Sequence, residues 1–143
     1  KKRDINGKME YGVYLQLSFS FLDMGWHAIT NPVHISISEF ESAAMTKTEL
    51  VHKIEGVNMS ASFGHIFGGG YASGYYGYKW AEVLDADAFS YFTETGIFNR
   101  ETAAAFRKNI LEKGGTEKPL DLYVRFRGKE PTIDALLTRS GLR

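Results

Sequence analysis

The sequence predicts an all-α fold, and three observations carry the prediction. Apolar side chains recur three and four residues apart, a capping box opens one of the periodic segments, and an alanine-rich run sits between an Asn and a Gly-Gly pair. Residues 10–26 place Tyr14, Leu17, Phe21 and Met24 at helical spacing, as one apolar stripe. A strand is the alternative there, because Tyr, Phe and Val are common in strands; length and stripe favour helix. Asn31-Pro32 ends the segment, since the residue before proline is pushed out of helical geometry.

Ser36 and Glu39 have capping-box spacing. They predict a helix over 37–52 with Phe40, Ala43, Ala44, Leu50 and Val51 as apolar contacts and Gly56 as its stop. Residues 57–62 read as loop. A helix is predicted again over 71–92. On an ideal helix Tyr71, Tyr75 and Tyr78 fall at about 0°, 40° and 340°, with Glu82 and Phe89 on the same side and Trp80, Val83 and Leu84 opposite. A helix apolar on both sides is expected to be buried at the centre, here with its tyrosine face lining a cleft. Gly96 ends it, and Asn99 caps a helix through Phe106 and Ile110 that stops at Gly114-Gly115. Residues 121–127 fit strand or helix. Pro131 fits a first helical position, ahead of a last helix over 133–140. With no repeat, low-complexity stretch or linker, the chain reads as one mostly helical domain.

Composition narrows the function. The 143 residues suffice for one packed core, and the apolar share of 43% and charged share of 24% are ordinary for a soluble globular protein. Lys plus Arg equals Asp plus Glu at 17 each, which leaves no electrostatic footprint for nucleic acid and no polybasic patch for a membrane. The opening Lys1-Lys2-Arg3-Asp4 reads as a solvated end. The absence of cysteine excludes disulfides and thiolate metal sites. No apolar run approaches the roughly 18 residues of a membrane span. The chain begins at Lys1 rather than Met, so an internal piece of a longer polypeptide is expected, with any targeting segment upstream.

The chemistry concentrates between residues 63 and 89, FGHIFGGGYASGYYGYKWAEVLDADAF. Gly68, Gly69, Gly70 and Gly74 permit close backbone approach, and His65 with Tyr71, Tyr75 and Tyr78 supplies hydrogen-bonding groups. The pattern predicts a mobile loop that carries polar groups to a ligand. Tyr76 points away from the other three and is expected in aromatic core packing. The glycines match neither the dinucleotide fingerprint nor the Walker pattern, so nucleotide binding is not favoured. Of the four histidines, His27 near a helix end is expected to be structural, and His34 lies in a loop with nothing to single it out. His52 and Glu55 lie three apart, which reads as a helix end rather than a zinc site, because no pair here has the four-residue spacing a helical zinc site requires. Glu82 and Asp85 could form an acid–base pair, but hydrogen bonding to a neighbouring helix is the expected role of the helix acids.

The block from residue 63 to residue 89 closely resembles the C-terminal part of the thimet oligopeptidase family of zinc metallopeptidases, nearest its bacterial peptidyl-dipeptidase (Dcp) branch. LDMGWH at 22–27, GIFN at 96–99 and FRGKEPTIDALL at 126–137 agree with it in order, so the resemblance covers nearly the whole chain. Lys129 stands where relatives often have arginine, and residues 57–62 differ from the arginine-containing version of some branch members. The nearest branch implies a peptidyl-dipeptidase that releases C-terminal dipeptides, with endo-oligopeptidase specificity as the alternative that these departures leave open.

The resemblance implies that residues 1–143 are the C-terminal portion of a mostly helical, zincin-type catalytic domain whose deep channel admits short peptides. It implies a zinc cofactor whose ligands, two histidines of a His-Glu-x-x-His helix and a later glutamate, all lie upstream, so that this chain holds none. It also implies that His65, Tyr71, Tyr75 and Tyr78 meet the substrate. Tyr78 would help stabilise the tetrahedral intermediate, with His65 beside it as a catalytic group, and Gly68, Gly69 and Gly70 would act as a hinge that closes over bound peptide. The expected partners are short peptides and the upstream part of the same protein, with neither nucleic acid nor membrane, and the expected location is cytoplasmic with the periplasm as alternative. The chain alone is expected to be inactive. Two rival readings are a non-catalytic helical peptide- or protein-binding module and a purely structural role for the aromatics.

Overall fold

The computed structural model describes residues 2–48 and 54–143, with side chains from residue 11 onward. Among these residues the regular structure is helical, with no strand, as the all-α expectation requires. The chain divides into two compact units, Lys1–Trp80 and Ala81–Arg143.

In the first unit, helix α1 (Lys2–His27) is followed by α2 (Ile37–Met45), a 3-10 turn at Ser60–Ser62 and the single-turn helix α3 (Gly64–Phe67). The Ser36 capping box forms as its spacing predicts: Ser36 Oγ accepts the Glu39 N–H at 3.2 Å, and Glu39 Oε2 accepts the Ser36 N–H at 2.9 Å. That second bond and the Ser36 hydroxyl hold the Glu39 carboxyl below its ordinary pKa. The helix ends at Met45. Leu50, Val51 and His52, assigned above to its last turns, lie outside the described residues.

The buried side of α1 is not the stripe that the spacing marks. Tyr14, Phe21 and Met24 are exposed, whereas Ser18, Leu22 and Asp23 are buried and Phe19 and Trp26 pack beside them. The reason is that the inward polar groups have partners. Ser18 Oγ donates to Thr48 Oγ1 at 2.6 Å, and Asp23 accepts bonds described below. Gly25 sets the approach of α2, since a Cβ there would stand 3.2 Å from Ala44 Cβ and 3.5 Å from the Phe40 ring. Trp26 consequently stacks on Phe40 with centroids 3.9 Å apart. Ala43, on the other side of α2, is exposed. Leu22, Met45, Phe63 and Ile66 form the core. A polar relay crosses its edge: Trp26 Nε1 donates to Ser60 Oγ at 2.7 Å, and the Ser60 N–H donates to the buried Glu41 carboxylate at 2.5 Å.

Helix α4 (Gly77–Thr95) begins six residues later than the predicted start at Tyr71, because 72–76 are turns. Glycine is a poor helix former, and Gly68, Gly69, Gly70, Gly74 and Gly77 crowd this approach. Trp80 and Phe89 are exposed, so α4 is not buried on both sides; Val83, Ala86 and Asp87 are its buried residues.

The second unit continues through α5 (Arg100–Phe106), a π turn (Arg107–Leu111), a 3-10 turn (Gly114–Thr116), α6 (Pro119–Arg127) and α7 (Asp134–Arg139). Asn99 caps α5, its Oδ1 accepting the N–H groups of Glu101 and Thr102 at 2.9 and 3.0 Å. The strand-or-helix alternative over 121–127 resolves as helix. Pro119 stands at its start, and Gly128 takes the left-handed conformation, φ +81°, at its end. Pro131 does not open α7, which begins at Asp134. Tyr91, Phe92 and Phe106 gather around Phe126 at centroid distances of 5.4, 6.2 and 5.1 Å.

Asp85 and Asp87 each bond to a neighbouring helix, and of the two only Asp87 does so in the interior. Asp85 meets Arg139 of α7 at the surface, 2.5 Å apart, so Glu82 and Asp85 are not an isolated pair. Asp87 does the same in the interior. It accepts the Tyr123 hydroxyl at 2.6 Å and lies 3.6 Å from Arg127 Nε, while Arg127 also donates to Glu94 at 2.7 Å and lies over the Tyr91 ring. Burial, then the bond to Asp87, raises the Tyr123 phenol well above its ordinary pKa. Replacing Asp87 by Ala strands a buried phenol and part of a buried guanidinium, so Asp87→Ala should destabilise the protein by about 3–5 kcal/mol in urea unfolding, and Phe126 packing should loosen with it.

Candidate functional site

The first unit assembles a cluster of phenols and one imidazole. Ile66 plugs α3 into the core, and His65, one position earlier, is exposed. The chain then doubles back through two glycines that nothing else can replace without strain. A Cβ on Gly69 would sit 3.0 Å from both the Cα and the carbonyl oxygen of His65, and Gly70 has φ +81°. Gly68 has no such constraint, its nearest neighbour being Gly64 O at 3.7 Å. The reversal lets the Tyr71 N–H donate to His65 O at 3.2 Å and sets the two rings 5.9 Å apart.

Residues 71–75 are then pinned to α1. The Asp23 carboxylate, 0% exposed, accepts the Ser73 N–H and the Tyr75 N–H, each at 2.9 Å, one on each oxygen. His27 Nδ1 lies 2.8 Å from Asp23 Oδ1 and 2.9 Å from the Asp23 carbonyl oxygen. Both are acceptors, so Nδ1 carries a proton. Ser73 is held at φ +56°. Tyr75 turns its ring onto Phe19 and Phe63, at 5.8 and 5.1 Å. Tyr78, in the first turn of α4, stacks on Tyr71 at 5.1 Å and 26°, and tilts against Tyr75 at 5.1 Å.

The four residues predicted from the sequence, His65, Tyr71, Tyr75 and Tyr78, are thus brought together, but not along one helical face. Three come from a helix, a loop and a turn, and only Tyr78 stands in α4. Tyr76 lies outside the cluster, and at 56% exposure it is not in core packing either. His34 is exposed in the connection after α1, and His27 is structural, as expected. Asp23 was missed. Its signal was present, an acid four residues before a histidine within LDMGWH, the spacing of helix neighbours.

The electrostatics favour proton donors. The Tyr78 phenol is pushed up to about 12, first by its hydrogen bond with the Tyr71 side chain, then by burial and by repulsion from any charge on Tyr71 and Tyr75. Burial also raises Tyr75. Tyr71 and Tyr78 remain 38% and 36% exposed, so their edges are open to a ligand. Among the described residues no group of three His, Asp or Glu is placed to hold a metal ion. Nor, among them, is any helix long and apolar enough to cross a membrane.

The described residues present three phenols and an imidazole together from helix, loop and turn, and comparison with known proteins supplies the family. The description "Peptidase family M3" matches residues 3–142, nearly the entire chain. Oligopeptidase A of Escherichia coli is 46% identical over 129 residues, which cover 90% of this chain and 19% of that protein. The dipeptidyl carboxypeptidase of Salmonella typhimurium is 40% identical over 128 residues, 88% of this chain and 19% of that protein. Saccharolysin of Saccharomyces cerevisiae is 31% identical over 146 residues, covering 100% and 20%. The chain belongs to peptidase family M3, and it spans about a fifth of the length of these relatives.

The raised Tyr78 value has a definite sign. A phenol whose folded pKa exceeds its unfolded value of about 10 contributes stability that is present in full below pH 10. That contribution is lost as pH rises through about 12. Removing the partner in Tyr71→Phe should therefore lower the Tyr78 value towards 10, read as greater tyrosinate at pH 10.5 by ¹³C-tyrosine NMR.

Proposed function

We propose that this chain is the C-terminal portion of the catalytic domain of a zinc metallopeptidase acting on short peptides, and that it supplies substrate-facing and oxyanion-stabilising groups. One observation carries the reading: His65, Tyr71, Tyr75 and Tyr78 converge, and Tyr78 is held protonated far above neutral pH. Zinc, its ligands and the general base belong in this proposal to another part of the same protein. A cytoplasmic location is part of the same reading.

The chemistry proposed for these residues is binding, orientation and proton donation. Tyr71 and Tyr78 share a hydrogen bond in the resting cluster. A scissile carbonyl oxygen entering between them takes the place of that internal acceptor and receives the Tyr78 O–H. The bond strengthens as the oxygen gains charge in the tetrahedral intermediate, which is differential stabilisation of the transition state. Tyr75, packed on Phe19 and Phe63, buttresses Tyr78 from the core side. His65 beside Tyr71 orients the peptide. Gly68, Gly69 and Gly70 serve as the hinge by which the loop between α3 and the tyrosine turn closes over bound peptide.

Loss of one oxyanion donor typically costs about 2.7–4 kcal/mol of barrier. In the full-length protein Tyr78→Phe should therefore lower kcat by about 100- to 1000-fold with little change in KM; an unchanged kcat would sink the role given to Tyr78. The higher identity to oligopeptidase A, 46% against 40% for dipeptidyl carboxypeptidase, supports cleavage within short peptides. Peptides with an amidated C-terminus should accordingly be cut as fast as their free-acid forms. Cleavage confined to free acids, releasing dipeptides, would instead establish the peptidyl-dipeptidase alternative.

A further inference from the structure

We infer that Asp23 is a positioning residue for peptide hydrolysis, its buried carboxylate fixing the tyrosine turn on α1 and so aligning Tyr71 with Tyr78. The inference rests on the reading of the cluster as substrate-facing.

A carboxylate at 0% exposure, next in sequence to a Leu22 that packs with Met45, Phe63 and Ile66, is costly unless it is fully bonded. Within α1 its partner is His27, one turn on. Each partner outside α1 belongs to the turn: the N–H groups of Ser73 and Tyr75, 50 and 52 residues away. His27 fixes the carboxylate from the other side.

The two bonds lead to the phenols by short routes. Through Tyr75, the anchor reaches Tyr78, whose N–H donates to the Tyr75 carbonyl at 3.2 Å and whose ring leans on the Tyr75 ring. Through Ser73, it reaches Tyr71, whose carbonyl accepts the Gly74 N–H at 2.8 Å. Ser73 occupies the left-handed region, φ +56°, which a residue with a Cβ adopts at a cost of about 1–2 kcal/mol. The bond from its N–H to Asp23 opposes relaxation to an ordinary conformation, which would swing Tyr71 away from Tyr78. Asp23 touches neither phenol, so it acts through the backbone.

The test is Asp23→Asn in the full-length protein. Asn keeps the shape but offers one acceptor oxygen, and its amide faces one of the two N–H donors, so one anchor is lost. Misplacement of reacting groups by about 1 Å costs up to about 100-fold. The expected result is a 10- to 100-fold fall in kcat with KM nearly unchanged. At pH 10.5 Tyr78 should become mostly ionised, as an ordinary phenol is, with the ¹³C-tyrosine resonance assigned by Tyr78→Phe. Adding Ser73→Gly, which removes the left-handed penalty, should recover part of kcat; a general stabiliser would not be rescued at residue 73.

A folded Asp23→Asn protein whose Tyr78 stays protonated at pH 10.5 would overturn the inference. Ionised Tyr78 with undiminished kcat would show that Asp23 aligns the phenols, but would overturn its part in hydrolysis together with the donor role of Tyr78. If Asp23→Asn does not fold, His27→Ala removes the imidazole that holds the carboxylate in place and so weakens its two backbone bonds without deleting either acceptor oxygen. A partial rise in Tyr78 ionisation then supports the inference, and no change overturns it.

Discussion

A buried carboxylate with three donors around it organises the first unit. Asp23 has no solvent to neutralise it, so its charge must be met by hydrogen bonds. The chain meets it with two backbone N–H groups and a protonated imidazole nitrogen. Those bonds convert a glycine-rich stretch, which on its own has a large conformational entropy to lose, into one defined turn. The aromatic contacts of Tyr75 with Phe19 and Phe63 then have a fixed backbone to hang from. Without the carboxylate, the phenols would be side chains on a flexible segment rather than a site.

The second unit is built around the same device with other partners. Asp87 is buried, takes the Tyr123 hydroxyl, and lies against Arg127, which reaches on to Glu94. Glu41, Ser60 and Trp26 repeat it at the edge of the first core. In each case an acid on one helix captures a donor from a segment far away in sequence, and apolar packing fills the space between. Dispersion and burial supply most of the driving force for folding. The acids decide which segments meet, since a misplaced partner leaves a buried charge bare.

This division explains what could be read from the residues beforehand. Caps are local, so the Ser36–Glu39 box and the Asn99 cap were legible from spacing, as was the stop at Gly96. The resemblance to a metallopeptidase family was legible too, because long motifs cover most of the chain and the family match runs over residues 3–142. The side of α1 that is buried was not legible. Tyr14, Phe21 and Met24 obey the helical period better than Ser18, Leu22 and Asp23 do, and only distant partners make the polar side the inner one. The tyrosines were grouped correctly for an incomplete reason. Helical periodicity gathers Tyr71, Tyr75 and Tyr78 on paper, yet the chain gathers them by a turn whose conformation depends on a residue fifty positions earlier. Pro131 and Pro119 show the same limit, since both suit a helix start and only one has a helix following directly.

The sequence distance spanned by the Asp23 bonds also fixes an order of events. Closing a loop of about 50 residues costs roughly 3.5 kcal/mol of chain entropy beyond a constant, and two hydrogen bonds to a carboxylate, at about 1.5–3 kcal/mol each, offset it only once the core has taken that carboxylate out of water. The tyrosine turn therefore cannot nucleate anything. It forms only after Leu22, Phe63 and Ile66 have joined α1 to α3 and shortened the remaining loop to a few residues. The phenol cluster is thus a late-forming region that depends on a scaffold assembled before it.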